Sequence, residues 1–477
     1  MSMSQAQLSA LVQRVLQRVE DGGGGRIAAV AGGGTVEGVY PTLDAAVAAA
    51  NKAQQTLEWH RSMADRSRII EAMRAMMRDN LETIARLAVE ETGLGRVDHK
   101  VIKNRLVTNK TPGTEDLTSQ VWTGDHGLTL YEFAPWGVIG AICPTTNPSE
   151  TVICNAIGMI AAGNAVVFQP HPSAKRVTHL TIGLLNRAIV SAGGPPDLIT
   201  TIAEPTMDTA TALMKHPGIR LLVVTGGPGV VKAAMASGKK TIAAGPGNPP
   251  SLCDETADLE KAARDMVNGA SFDNNIICCD EKEFIAVASI ADALKGHMRQ
   301  AGAFEADADQ TERLMKAILA TDRGPGQHSD VNKKFVGKDA SVILREIGIN
   351  VGPEVKMVLA EVNRNHTLLH TEQLMPVIPF TRVRDFHEGL ELAREVEHGY
   401  GHTSSIHSRR IDRMSEMARV MNTAIFVKNG AHYSGLGEGG EGPTSFTIAH
   451  PTGEGLTYAR HFSRMRRCAL VDALRIV

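Results

Sequence analysis

At 477 residues the chain is too long for one ordinary domain and has room for about two to four compact units of ~150 residues. Hydrophobic residues make up 43% and charged residues 21%, the balance of a soluble globular protein whose core needs no metal or disulfide staple. A formal net charge of −2 and a pI near 6.8 offer nucleic acid and anionic lipid no global field, and no apolar run reaches the ~18–20 residues of a membrane span.

The first residues lack the charged stretch and apolar block of a secretory signal. Instead, residues 5–20 (QAQLSALVQRVLQRVE) place Leu8, Leu11, Val12, Val15, Leu16 and Val19 on one stripe of a helix. Asp21 and the run Gly22–Gly25 follow as a flexible tether, which suits a detachable helix that docks into a partner's groove. No Lys-Ser or Lys-Thr follows these glycines, so they do not read as a phosphate loop. Residues 42–94 read as helical, with Thr42 as N-cap and Gly93 as C-cap. From Leu128, LTLYEFAPWGVIGAICP reads as strand, turn and buried strand. Strands and helices then alternate: NAVVFQP, THLTIGLLNRAIVSAG, DLITTIA, TATALMKH, RLLVVTGG, VVKAAMAS and TIAAGPGNPP. Repeated βα units imply a parallel sheet with helices on both faces. A second α/β stretch covers about 255–430, and the tail YARHFSRMRRCALVDALRIV alternates like an edge or inter-subunit strand. Within it Arg464, Arg466 and Arg467 read as an exposed strand face, with coenzyme phosphates as a lesser alternative.

Six cysteines (Cys143, Cys154, Cys253, Cys278, Cys279 and Cys468) include no C-x-x-C pair, so free thiols in a reducing cytoplasm are expected. The informative segment is SFDNNIICCDEK (Ser271–Lys282), between the helix ADLEKAARDMVNGAS and the strand EFIAVAS. A thiolate in such a loop can accept backbone N–H bonds, which would lower its pKa below ~8.5 and make it a usable nucleophile. Taken alone, adjacent cysteines are more often packing residues. TGGPGVV brings Thr225, Gly226 and Gly227 to the end of a strand before a helix, where backbone N–H groups could approach a pyrophosphate, or where glycine simply makes a tight turn. His398 and His402 lie four apart, but Gly399 and Gly401 interrupt any helix between them; they read as lining an active-site loop, and no metal is expected.

Nine blocks in order decide between these readings: ETGLGR (91–96), APWGVIGAICPTTNP (134–148), AAGNAVVFQPHP (161–172), VVTGGPGVV (223–231), AAGPGNPP (243–250), GASFDNNIICCDEK (269–282), EQLMPV (372–377), IFVKNG (425–430) and PTGEG (451–455). Together they resemble the aldehyde dehydrogenase superfamily, and within it the coenzyme A-acylating enzymes of bacterial microcompartments, from about residue 40 onward. The resemblance implies a Rossmann-type NAD-binding domain at 35–245 with an oligomerisation hairpin near 118–135, an α/β catalytic domain at 246–440, and a C-terminal segment at 441–477 with an oligomerisation strand. Dimers or tetramers are implied. Residues 1–20 resemble the targeting helices that draw enzymes to compartment shell or core proteins, with 21–34 as linker.

By the same resemblance Cys278 is the nucleophile, with Cys279 where relatives carry a small or aliphatic residue. The oxyanion donors are the Cys278 N–H and a side chain of the loop Pro144–Thr145–Thr146–Asn147–Pro148. Thr146 aligns with the asparagine of hydrolytic relatives, while Asn147 is the better donor. Glu372 would hold the nicotinamide ribose, and Pro170 and His171 would flank the adenosine. Gln169 or His171 stands where hydrolytic relatives carry a lysine. Hydrolytic members also use a glutamate to activate water; here the stretch is Ala243–Ala244–Gly245–Pro246, without a carboxylate. The resemblance thus implies NAD-dependent oxidation of a short aldehyde, with coenzyme A rather than water taking the acyl group. GGPGVVKAAMASGKK and EQLMPV look more like propionaldehyde enzymes than acetaldehyde enzymes. A hydrolytic enzyme and a compartment assembly protein with a vestigial site are the rival readings.

Overall fold

The computed structural model describes residues 37–60 and 62–477, so the expected docking helix at 5–20 and its linker at 21–34 lie outside the described residues. Gly38–Val477 form one compact unit. After the short strand β1 (Val39–Tyr40), helix α1 (Leu43–His60) starts with the Thr42 hydroxyl accepting the Ala45 N–H at 3.3 Å. Helix α2 (Met63–Thr92) opens on a reciprocal Ser62–Asp65 capping box and stops at Gly93, which is left-handed at φ 67°. Helix α3 (Val97–Lys110) was not evident in the sequence: Lys100, Lys103, Asn104 and Thr108 are all buried, so polar residues occupy the face where apolar ones would have marked it.

A hairpin of β2 (Gln120–Gly124) and β3 (Gly127–Pro135) precedes β4 (Val138–Ile142). Helix α4 (Pro148–Ala161) follows, buried at every position and therefore without the polar face that reveals a helix in sequence. The expected alternation continues through β5 (Ala165–Gln169), α5 (Lys175–Ser191), β6 (Ile199–Ile202), α6 (Met207–Lys215), β7 (Leu221–Thr225), α7 (Pro228–Met235) and β8 (Lys240–Ala244). The sheet is parallel with order β1-β6-β5-β4-β7-β8. The chain winds outward from β4 through β5 and β6, then resumes on β4's other side with β7. At such a switch the connections diverge beyond the carboxyl ends of the strands and leave a crevice for ligand.

Five residues, Gly245 to Pro249, link β8 to β9 (Pro250–Cys253), which starts a second parallel sheet. Its further elements are α8 (Leu259–Ser271), β10 (Glu283–Val287), α9 (Ala288–Gln300), β11 (Ala303–Ala306) and α10 (Ala308–Ile318). A small antiparallel pair, β12 (Leu319–Thr321) with β13 (Asp330–Val331), and α11 (Ala340–Glu346) intervene. Then come β14 (Met357–Glu361), β15 (Val377–Val383), α12 (Phe386–Val396), β16 (Thr403–His407), α13 (Ile411–Met421) and β17 (Ile425–Lys428), in sheet order β11-β14-β15-β10-β9-β16-β17.

Beyond a second small pair, β18 (Ile448–Ala449) with β19 (Gly455–Leu456), the last strand β20 (Ser463–Val471) lies antiparallel on β3 from Ser463↔Pro135 to Val471↔Gly127. Hairpin and tail, neither with an evident partner in sequence, thus pair with each other. Gly127 sits at φ 114°, and a Cβ there would meet the Leu470 carbonyl oxygen at 2.0 Å, so this junction admits glycine alone. Val121, Trp122, Met465 and Val471 of this three-stranded sheet are each at least half exposed.

Candidate functional site

The residues singled out in the sequence gather where the two large sheets meet. Thr145, Thr146 and Asn147 follow β4; Pro170 and His171 follow β5; Thr225 ends β7 and Gly226 and Gly227 follow it; Gly245 follows β8. All stand at the carboxyl edge of the first sheet. The second sheet contributes its amino edge: Gly247 lies before β9, Cys278 before β10, Glu372 before β15 and His402 before β16, four strands that are neighbours in the order β15-β10-β9-β16. The short β8–β9 link holds the two edges together. The Gly247 N–H favours the charged form of the Glu372 carboxylate. A Cβ on Gly247 would come within 2.9 Å of both the Cys278 carbonyl oxygen and the His402 ring, so the link must be bare backbone there.

The loop into Cys278 is conformationally expensive. Asp273, Asn274 and Asn275 are consecutive left-handed residues at φ 46°, 56° and 64°. Each such residue costs on the order of 1 kcal/mol, least for Asp and Asn, and persists only where surroundings enforce it. Each side chain is enforced in turn. Asp273 pairs with Lys103 (2.5 Å) and Lys100 (3.1 Å) and accepts the Arg96 N–H (2.7 Å). Asn274 Nδ2 donates to the Gly337 carbonyl and to Asp339, both at 3.0 Å. Asn275 Nδ2 donates to the carbonyls of Ala270 (2.8 Å) and Glu281 (2.9 Å), and Lys282 Nζ donates to the Asn275 carbonyl (2.8 Å), the Asn275 side-chain oxygen (2.7 Å) and the Ile277 carbonyl (3.0 Å). Gly95 of the block ETGLGR is required because a Cβ would strike the Asp273 carboxylate.

Of the two adjacent thiols, Cys279 is fully buried and Cys278 partly open. The expectation that loop N–H groups lower the thiol pKa is corrected by the structure. Burial pushes Cys278 up to about 12 and the Glu372 carboxylate adds to the rise; Lys282 and the residue's own N–H oppose it. Local donors lose to an environment that sequence-adjacent residues do not reveal. Burial likewise lifts Glu372 to about 7, against Lys282 and the Gly247 N–H. Above that pH Glu372 is an anion beside the thiol. Replacing it by glutamine should therefore move the midpoint of Cys278 alkylation by iodoacetamide down by about one pH unit; a midpoint that stays or rises would contradict this electrostatic account.

Asn147 is buried at the start of α4. Its Oδ1 accepts from Lys103 Nζ at 2.6 Å and its Nδ2 donates to Thr146 Oγ1 at 3.1 Å, while Lys100 Nζ donates to the Thr146 carbonyl at 3.2 Å. Lys100 and Lys103, absent from the sequence reading, thus link this loop to that of Cys278. His402, fully buried, is held well below its ordinary pKa by burial and by His450, whose ring lies 4.6 Å away; its Nε2 has no hydrogen-bond partner among the described residues.

The crevice residues fit a dinucleotide. The Gly226 N–H is taken by the Ala244 carbonyl (3.2 Å), but Gly227, the N-cap of α7, offers no side-chain cap, and a Cβ on Gly227 or Gly229 would point into open space. The N–H groups of that first turn, other than that of Pro228, which has none, are open to an anion. Thr225 Oγ1 is 3.2 Å from Thr447 Oγ1. Pro170 is buried, and the exposed His171 accepts the Ser173 N–H at 3.1 Å, fixing the turn. Gly245 faces His450 and Pro451.

The family model for the "Aldehyde dehydrogenase family" matches residues 34–446. The acetylating acetaldehyde dehydrogenase EutE of Salmonella typhimurium is 52% identical over 92% of this chain and 94% of its own. A CoA-propanoylating propanal dehydrogenase of the same organism is 44% identical over 93% and 94%. Among solved structures, a Rhodopseudomonas palustris propionaldehyde dehydrogenase with bound CoA and an acylated cysteine is similar at a TM-score of 0.89 and 49% identity, over 92% of this chain and 99% of that one. A propionaldehyde dehydrogenase from the Clostridium phytofermentans fucose utilisation bacterial microcompartment gives 0.89 and 45%, over 92% and 100%. With two parallel sheets meeting at a half-open cysteine, and a family match spanning most of its length, the chain belongs to the aldehyde dehydrogenase family.

Proposed function

We propose that this protein oxidises a short aliphatic aldehyde to its acyl-CoA, using NAD and coenzyme A, through a thioester on Cys278. The observation that carries the reading is the position of Cys278: it is the partly open thiol at the junction of the sheets, beside Glu372, while Cys143, Cys154, Cys253 and Cys279 are buried and Cys468 lies out on β20.

The Cys278 sulfur, once deprotonated, adds to the aldehyde carbon. The oxygen that becomes negative is stabilised by the Cys278 N–H and an Nδ2–H of Asn147, donors fixed before the substrate arrives. Thr145 and Thr146 shape the same loop. Glu372 would hold the nicotinamide ribose, the Thr225–Gly227 turn the pyrophosphate, and Pro170 and His171 the adenosine side; NAD, when bound, supplies the hydride acceptor. The resulting thioester meets no carboxylate at Ala243, which is buried within β8. A coenzyme A thiol then attacks the acyl carbon, the bond to Cys278 Sγ breaks, and acyl-CoA leaves. Acetaldehyde and propionaldehyde should both serve, because one methylene in an apolar pocket discriminates by only about 1–3 kcal/mol. Identity to the acetylating relative at 52% exceeds that to the propanoylating one at 44%, so the propionaldehyde preference read from two short stretches gains no support from overall similarity. Incubating the protein with propionaldehyde, NAD and coenzyme A and identifying the product by mass should give propionyl-CoA; free propionate in its place would favour the hydrolytic reading, and no NADH at all the vestigial one.

We further propose that the exposed sheet of β2, β3 and β20 joins subunits into dimers or tetramers, and that residues 5–20 take the enzyme to a microcompartment, as the origin of the Clostridium phytofermentans relative supports. Trp122→Glu together with Leu470→Glu should lower the sedimentation coefficient toward that of a single chain without loss of helix content. A species of unchanged size would remove this sheet from the interface.

A further inference from the structure

The mechanism leaves unexplained why two lysines of α3 are completely buried. They lie between the two loops that must meet for reaction. We infer that Lys103 is a positioning residue that fixes the carboxamide of Asn147 with its NH2 toward the reacting carbonyl and strengthens it as a donor. The inference rests on the reading of Asn147 as oxyanion donor.

An ammonium has three donors and no acceptor. Within 2.6 Å of Lys103 Nζ, Asn147 can therefore present only its oxygen, so Lys103 decides the amide's orientation. The amide nitrogen then points the other way, one hydrogen bonded to Thr146 Oγ1 and the second without a partner among the described residues. Lys103 is held in place by ion pairs with Asp273 (2.5 Å) and Glu150 (3.1 Å). Burial alone would favour a neutral amine, but Asp273 and Glu150 outweigh it and raise the pKa of Lys103, keeping it charged. A cation on the amide oxygen draws electron density from nitrogen and makes the free N–H a better donor to a developing oxyanion. Because Asp273 opens the strained run that leads to Cys278, the same ammonium ties the Asn147 loop to the Cys278 loop. Lys100, which reaches the Thr146 carbonyl and Asp273 but not Asn147, completes a charge-neutral set of two lysines and two carboxylates without sharing the orienting role.

The test compares the first-turnover rate of NADH formation, and the KM for propionaldehyde, in Asn147→Ala, Lys103→Met, the charge-balanced pair Lys103→Met/Glu150→Gln, and that pair combined with Asn147→Ala. The charge-balanced pair keeps the cluster neutral should Lys103→Met alone fail to fold. Asn147→Ala should slow the first turnover by about 10²–10³-fold, the size expected for one oxyanion donor. The charge-balanced pair should slow it by about 10-fold or more with KM little changed, yet cost less than about 2-fold once Asn147 is alanine, since a residue acting through Asn147 has nothing left to orient. Substituting glutamine for methionine at position 103 in the pair, which restores an N–H donor, should recover part of the rate. Equal fold losses with and without Asn147, or no recovery with glutamine, would overturn the inference and leave Asn147 as donor; a parental rate in Asn147→Ala would overturn both.

Discussion

Cys278→Ser is expected to reduce acyl-CoA formation by more than about 10³-fold while leaving the fold intact, whereas Cys279→Ser should stay within a few-fold of the parent. The two residues adjoin, so the contrast between them excludes a general effect of perturbing the loop. Serine preserves the shape of the side chain and alters its chemistry: a hydroxyl next to Glu372 is far harder to ionise than a thiol, and an ester is a poorer acyl donor to a second thiol than a thioester. Cys279 is fully buried, so an aldehyde cannot reach its sulfur as it can reach that of the partly open Cys278. Stopped-flow NADH fluorescence with propionaldehyde and coenzyme A measures both variants. A Cys278→Ser enzyme that matches the parent would end the thioester account.

Leaving out coenzyme A should produce one NADH per active site and then a near halt, with steady turnover about 10²–10⁴-fold below that of the complete mixture, the usual worth of a general base. The reason lies in β8. Where hydrolytic relatives place a glutamate, Ala243 is fully buried, and its N–H donates to Thr452 Oγ1 at 3.0 Å, so no carboxylate stands there. The stalled enzyme should carry an acyl group detectable by intact-protein mass and released by added coenzyme A. Sustained NADH production without coenzyme A would show that water reaches the thioester with some other base to help it.

The βα alternation was legible because β4, β5 and β7 are short apolar runs separated by periodic helices. The Cys278 loop was legible because its residue types are unusual in combination, and the structure shows why: a run of Asp-Asn-Asn tolerates left-handed backbone and supplies the side chains that hold it there. Two helices next to the site escaped notice for opposite reasons. In α4 every position is buried, so no polar face remains to mark it, and in α3 buried lysines stand where apolar residues would have completed a stripe. Both are ion-pair or packing arrangements between distant segments, which local periodicity cannot register. The raised pKa of the Cys278 thiol has the same origin. The N–H groups of its own loop are outweighed by enclosure and by Glu372, which the adjacency of β10 and β15 brings near.

The pairing of β20 with β3 has a consequence for how the protein is made. The hairpin emerges from the ribosome early, but the strand that covers its open side is translated only after both large sheets have been synthesised. Throughout that interval the outer edge of the nine-residue β3 leaves its outward-facing N–H and C=O groups unpaired, the template on which chains join wrongly. Truncation before Ser463 would make this temporary exposure permanent, and expression of such a fragment should yield inclusion bodies rather than a smaller working enzyme.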